Sequence, residues 1–211
     1  MGKKQSRSIL VPAPYDKTKM AAAFAISVGH IRRQWDALHY LFRVPATKQS
    51  LIKITPALSD IIATSLTVTV YILITQLYDP PISMKDPTKR NLVLQRVLDE
   101  LAPAKGTPER AKIDAEFERV KPTFDKLKIW RNCVGAHKDL TTAIGIVDHI
   151  LGARTNPIPR IPLADVEETV KWLISLKDVV AANHCPRLVL EVGDISGEAD
   201  RLARIAASAP L

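Results

Sequence analysis

The fold is decided by residues 113–139, which read IDAEFERVKPTFDKLKIWRNCVGAHKD. Apolar side chains in the first half of this stretch recur every three or four residues, at Ile113, Phe117, Val120, Phe124 and Leu127. The spacing predicts an α-helix with one apolar face, because residues three and four apart lie on the same side of a helix. Pro122 lies inside the pattern and predicts a kink.

The same spacing recurs along most of the chain. The first stripe consists of Phe24, Val28, Ile31, Trp35, Leu38 and Phe42. We expect the helix that carries this stripe to end at Pro45. Similar spacing predicts six further helices, which cover residues 61–77, 91–102, about 109 onward, 140–151, 163–183 and 196–207. Residues 46–56 form either a short connection or a short helix. The sequence therefore predicts an all-α bundle of about six helices.

Length and composition indicate one globular domain. The chain has 211 residues, of which 46% are hydrophobic and 25% charged, and this balance argues against a disordered chain. We expect a single helical domain with a C-terminal helical extension over residues 16–211, after a loose basic segment over 1–15. Two cysteines are too few for a disulfide framework or a four-thiolate metal site.

Basic residues outnumber acidic ones by 30 to 22, which gives a net charge of +8. From Leu163 onward, however, eight acidic residues accompany five basic ones, so the positive excess lies in the earlier part of the chain. A basic body suits an anionic partner such as RNA, DNA or a membrane surface. A soluble protein can also be basic without such a partner, and charge alone does not decide between these alternatives.

Residues 61–77 carry no charge, and their length is at the lower edge for a membrane span. We interpret them as a buried helix of a soluble bundle, because shorter uncharged stretches usually belong to protein cores. The apolar run after the basic N-terminus stops at Pro12, which is too early for a secretory signal. The expected protein is therefore cytoplasmic and not bound to a membrane. A membrane-associated helix protein is the alternative.

Two polar residues interrupt the apolar stripes. Arg131 takes the position that follows Leu127 in one stripe, and His137 takes the position that precedes Leu140 in the next. A charge at an apolar position is costly unless it is paired or lies in a cleft. Residues six apart on an unbroken helix lie about 120° from each other. A break near Gly135 would bring both side chains to one wall.

Arginine and histidine together suit RNA cleavage without a metal. Histidine accepts and donates protons near neutral pH, and a guanidinium stabilises charge on a phosphate. Asn132 would add a hydrogen bond. We predict that RNA is bound by Lys126, Lys128 and Lys138.

A structural role for the two polar residues is the alternative. Arg131 would then pair with Asp125, Asp139 or a C-terminal acid, and His137 would cap a helix or form a hydrogen bond inside the core. No metal and no cofactor are predicted, because the other histidines lack the spacing of a helical metal pair.

The segment Arg131-Asn132…Ala136-His137-Lys138-Asp139 resembles the signature of the HEPN superfamily. Together with Gln76–Pro80 and Asn91–Leu94, it is similar to the abortive-infection AbiU-like branch over about residues 20–185. The resemblance implies a helical, HEPN-like homodimer that acts as a metal-independent ribonuclease in abortive infection or toxin–antitoxin systems, with an antitoxin protein as a further partner.

Carried over by position, the resemblance makes Arg131 the residue that orients the phosphate and Asn132 the accompanying polar residue. His137 becomes the general acid and base. Other members of the superfamily have lost catalysis. The alternative function is therefore a catalytically inactive HEPN-like module that binds RNA or a partner protein.

Overall fold

The computed structural model describes residues 16–79, 91–136 and 159–186. These residues form six α-helices and one π-helical turn: α1 (Lys17–Phe42), α2 (Pro45–Ile54), α3 (Pro56–Leu77), α4 (Leu94–Glu100), α5 (Pro108–Trp130), the π turn (Arg131–Ala136) and α6 (Leu163–His184). No strand occurs in the described ranges. The predicted all-α bundle is confirmed.

The helices begin where the local sequence satisfies their first backbone N–H groups. The Oδ1 atom of Asp16 accepts hydrogen bonds from the amides of Thr18 and Lys19 at 2.8 and 3.4 Å, which caps α1. Prolines open α2, α3 and α5, where the missing N–H costs nothing. Pro45 thus starts α2, and residues 46–56 prove to be helical for most of their length.

The core lies between the apolar faces of α1, α3, α5 and α6. Helix α1 packs against α3 and α6, and α5 packs against the same two helices. All members of the predicted stripe of α1 except the partly buried Phe42 are buried, and so are most members of the stripe of α5. Phe117, Phe124 and Trp172 form an aromatic group where α5 meets α6, with ring centroids 5.3–6.2 Å apart.

Two boundaries differ from the sequence prediction. Helix α3 begins five residues earlier than expected, at Pro56. Helix α4 is shorter than the predicted 91–102, because it begins at Leu94 after an extended Val93 and ends at Glu100. Helix α5 contains Pro122 and extends to Trp130. The loose N-terminal segment, the helix over 140–151 and the C-terminal extension beyond residue 186 lie outside the described residues.

The prediction that residues 61–77 form a buried helix is wrong for the first part of that stretch, and most of the residues before it in α3 are exposed as well. Leu58 and Ile61 are 50% and 60% exposed, whereas Val70, Ile74 and Leu77 are buried. By length and composition, α3 is the one helix of the described ranges that could cross a membrane. Core helices of soluble proteins pass the same test, so this is weak evidence for a membrane span.

Candidate functional site

The end of α5 changes from an α-helix to a π turn at Arg131. The backbone N–H of Arg131 is shared between the carbonyls of Leu127 and Lys128, and the residue keeps helical dihedral angles. A π turn widens the helix through i→i+5 hydrogen bonds, and such turns occur frequently at functional sites. Gly135, near which a break is predicted, lies inside this π turn, and the predicted approach of His137 to Arg131 stays a prediction. His137, the next residue after the turn, lies outside the described residues.

Arg131 forms an ion pair with Asp79, the second residue after α3. Its Nη1 atom lies 2.7 Å from Oδ1 and 2.9 Å from Oδ2 of Asp79. The two side chains are 21% and 28% exposed. Both groups are charged, so the hydrogen bond is of the stronger, charge-assisted kind. The stripe of α5 therefore ends in a half-buried cation whose charge is already compensated.

Tyr78 anchors the backbone next to Asp79. Its ring stacks on buried Phe124 with centroids 5.0 Å apart, and its hydroxyl donates a hydrogen bond to Asp125 Oδ1 at 3.0 Å. Burial raises the pKa of Tyr78 to about 12, and the hydrogen bond and negative charge of Asp125 contribute. The phenol therefore stays neutral at physiological pH and acts as a hydrogen-bond donor.

The two predicted RNA-binding lysines of α5 point to different sides. Lys128 Nζ lies 5.9 Å from the ring centre of Tyr78, on the side where Arg131 meets Asp79. Lys126 Nζ lies 3.9 Å from Asp165 Oδ2 on α6. Side chains at positions i and i+2 of a helix lie about 200° apart around the helix axis. One stretch of RNA backbone lying along α5 therefore cannot contact both ammonium groups. The structure brings Lys128, but not Lys126, close to Arg131.

The remaining site predictions surround the start of the π turn. Asn132 is exposed, and Cys133 is half-buried with a free thiol. Trp130 packs its ring edge-on against Tyr71 of α3, with centroids 5.1 Å apart and planes at 88°. This contact holds the end of α5 against α3, next to the pair of Arg131 and Asp79. Lys138 lies outside the described residues.

The family model HEPN_AbiU2, described as AbiU2, matches residues 18–148, which is well over half of the chain. The chain belongs to this family. The HEPN_AbiU2 match confirms the resemblance to the AbiU-like branch of the HEPN superfamily. It contains Asp79, Arg131 and His137, but it ends before α6 and is therefore shorter than the resemblance over 20–185. Comparisons with curated proteins and with solved structures found no match.

Asp79 is the residue of the candidate site that sequence reasoning missed. Asp125, Asp139 and C-terminal acids were the expected partners of Arg131, and Asp125 instead accepts the hydrogen bond of Tyr78. A signal for Asp79 was present, since it stands in the Gln76–Pro80 segment that carries part of the HEPN_AbiU2 resemblance. Within the described ranges, no group of three or more His, Cys, Asp or Glu side chains could hold a metal ion.

Proposed function

We propose that this HEPN_AbiU2 chain is a metal-independent endoribonuclease of bacterial phage defence, acting in abortive infection or as a toxin. The observation that carries the proposal is the placement of Arg131. This cation ends the apolar face of α5 at a π turn, and one of its nitrogens is held by Asp79. Family membership supports the proposal, because the matched region contains both Arg131 and His137.

The proposed reaction needs no metal, because the nucleophile belongs to the substrate. The 2′-oxygen of a ribose attacks the adjacent phosphorus while the bond from phosphorus to the 5′-oxygen breaks. The 2′-hydroxyl loses a proton to a base and the departing 5′-oxygen gains one, so the step consumes no net proton. The products are a 2′,3′-cyclic phosphate and a 5′-hydroxyl. An imidazole can accept and donate these protons, which is the role that we assign to His137.

Arg131 is proposed to stabilise the negative charge that develops on the phosphate oxygens in the transition state. A planar guanidinium can form two parallel hydrogen bonds to such oxygens. Exposed Asn132 would add a hydrogen bond at the start of the π turn. Lys128 would attract the RNA backbone next to the scissile phosphate, whereas Lys126 and Lys138 would contact phosphates elsewhere along the strand.

The proposed working form is a cytoplasmic homodimer, with an antitoxin protein as a further partner. The resemblance to the HEPN superfamily supports the dimer, because the Arg–His pairs of its nuclease members meet across a dimer interface. Light scattering of the full chain tests this proposal. A monomer at the concentration that cleaves RNA would overturn it.

A non-catalytic module that binds RNA or protein is the second candidate. The ion pair between Arg131 and Asp79 favours it, because a compensated arginine can serve structure alone. This candidate predicts salt-dependent RNA binding that needs Lys128 but not His137.

The deciding experiment incubates a mixed RNA pool with the full chain in EDTA. The proposal expects cleavage that survives EDTA, leaves 2′,3′-cyclic phosphate ends and disappears in His137→Ala. His30→Ala is the matched control, because His30 is an exposed histidine on α1. Cleavage that persists in His137→Ala would overturn the proposed mechanism. RNA binding without cleavage by wild type would establish the second candidate.

A further inference from the structure

The contact between Arg131 and Asp79 uses only one nitrogen of the guanidinium. Both carboxylate oxygens of Asp79 lie within 2.9 Å of Nη1. A guanidinium carries five N–H donors in a fixed plane, and those on Nε and Nη2 form a second fork. Within the described part of the chain, no hydrogen bond or ion pair engages Nε or Nη2 of Arg131. The pair therefore holds the guanidinium at Nη1 and, among the described residues, leaves the Nε and Nη2 donors for a ligand.

The carboxylate that holds Arg131 stands on a rigid support. Leu77 is only 4% exposed, and Tyr78 is fastened by its stack on Phe124 and its hydrogen bond to Asp125. Pro80 follows Asp79 in the sequence, and a residue before proline has a restricted backbone. The backbone that carries Asp79 is thus restrained on both sides.

The position of Asp79 is electrostatically unfavourable without Arg131. It follows the C-terminal end of α3, where the helix dipole already places partial negative charge. A carboxylate there also repels the phosphates of RNA. An acid at this place lowers affinity for RNA while it orients the arginine, and these two effects can be separated in kinetic measurements.

We infer that Asp79 is the positioning residue of the site, which orients Arg131 so that its Nε and Nη2 edge faces the scissile phosphate. This inference rests on the proposed function. Asp79 acts through Arg131 and does not touch the substrate. Its loss should lower kcat, because a misplaced catalytic group costs rate even when binding is intact. KM should stay constant or fall, because one repelling charge is removed.

The test compares Asp79→Asn with wild type in RNA cleavage by the full chain. Asparagine has nearly the same size, so the fold is kept while the charge is lost. We expect kcat to fall by about 10–100-fold without a rise in KM. Glu168→Gln is the matched control, because it removes one acid that pairs with Arg119 at 3.0 Å away from the site. It should change kcat by less than about twofold. Restoration of activity by Asp79→Glu would support the role of the charge.

A double-mutant cycle separates positioning from folding. If Asp79 acts through Arg131, Asp79→Asn has no further effect on kcat once Arg131→Ala is present. Equal losses in both backgrounds would overturn the inference, and so would an unchanged kcat in Asp79→Asn.

Wild type that cleaves no RNA would overturn the proposed function instead. The side-chain ¹⁵N signals of Arg131 then decide whether Asp79 orients the guanidinium. If the guanidinium rotates slowly in wild type and fast in Asp79→Asn, the result supports the inference that Asp79 orients Arg131. Identical signals in the two proteins contradict it.

Discussion

Two arginines stand at opposite ends of α5 and differ in how their guanidinium groups are satisfied. Arg110 lies in the first turn, with a side chain that is only 7% exposed. Its Nε atom contacts Asp114 at 2.7 Å, and its Nη1 atom donates to the carbonyl of Leu98. Arg131 lies at the other end, is three times as exposed, and is held at Nη1 alone within the described residues.

The difference separates a structural arginine from one that can bind a ligand. Arg110 satisfies the backbone carbonyl of Leu98 near the end of α4 and ties α4 to α5, so both sides of its guanidinium are occupied. Arg131 is held at one nitrogen and, as far as the described ranges show, keeps a second pair of donors. Charge alone would not separate the two residues. The number of guanidinium nitrogens that already form a hydrogen bond or an ion pair does separate them.

The largest expected effect is on cleavage by Arg131→Ala. Loss of one transition-state donor typically lowers a rate by about 10²–10³-fold. The free energy of unfolding should fall by only about 1–3 kcal/mol, because the partly buried carboxylate of Asp79 loses its partner. Single-turnover cleavage and urea unfolding measure the two quantities. Arg119→Ala is the control on the same helix, since Arg119 is 61% exposed. A stability loss in Arg131→Ala that explains the whole activity loss would contradict the comparison.

Arg110→Ala should show the opposite pattern. It removes a buried side chain and leaves the carbonyl of Leu98 without this partner, which should lower the free energy of unfolding by about 2–4 kcal/mol. The rate of RNA cleavage per folded molecule should not change. Urea unfolding checks the first statement, with Arg32→Ala as the exposed control on α1. A fall in kcat of the folded variant would remove the distinction between the two arginines.

A smaller effect is expected for the two lysines of α5. Lys128→Ala should weaken RNA binding and reduce the slope of log K against log salt by about 1, because one phosphate contact is lost. Lys126→Ala should reduce the slope less, because its ammonium already lies near Asp165. Fluorescence anisotropy at several salt concentrations gives both slopes. Equal slopes for the two variants would show that RNA does not select the Arg131 side of α5.

The smallest effect concerns alkaline pH. The pKa of Tyr78 is raised from its ordinary value of 10.0 to about 12 in the folded chain, mainly by burial and then by Asp125. The folded state thus favours the protonated phenol. This stabilisation is present below about pH 10 and is lost as the pH rises through about 12. The melting temperature of Tyr78→Phe should fall less steeply with rising pH than that of wild type between about pH 10 and pH 12. Parallel curves would contradict the raised pKa.

Most of the helices could be predicted from local sequence patterns. The stripes of α1 and α5 were predictable because helical periodicity depends on residues three or four apart. The same register placed Arg131 at the end of an apolar face, as the structure describes it. The burial of α3 was not predictable in the same way. Ile61 and Val70 are both apolar, yet Val70 is fully buried and Ile61 is 60% exposed, and composition does not contain that information.

The partner of Arg131 was beyond local patterns as well. Asp79 lies 52 residues away along the chain, and the two meet only because α3 packs against the end of α5. The three acids considered from the sequence were all as plausible in charge as Asp79. The choice among them is made by tertiary packing, to which the contact of Tyr71 with Trp130 contributes.

NMR of the arginine side chains tests most directly whether Arg131 binds RNA and Arg110 does not. The Nε–H signals of Arg110 and Arg131 are recorded while a 2′-O-methyl RNA, which lacks the attacking hydroxyl, is added to the full chain. We expect the Arg131 signal to shift with RNA concentration and the Arg110 signal to stay in place. An Arg131 signal that stays in place while RNA binds would contradict the claim that this arginine offers its second edge to a phosphate.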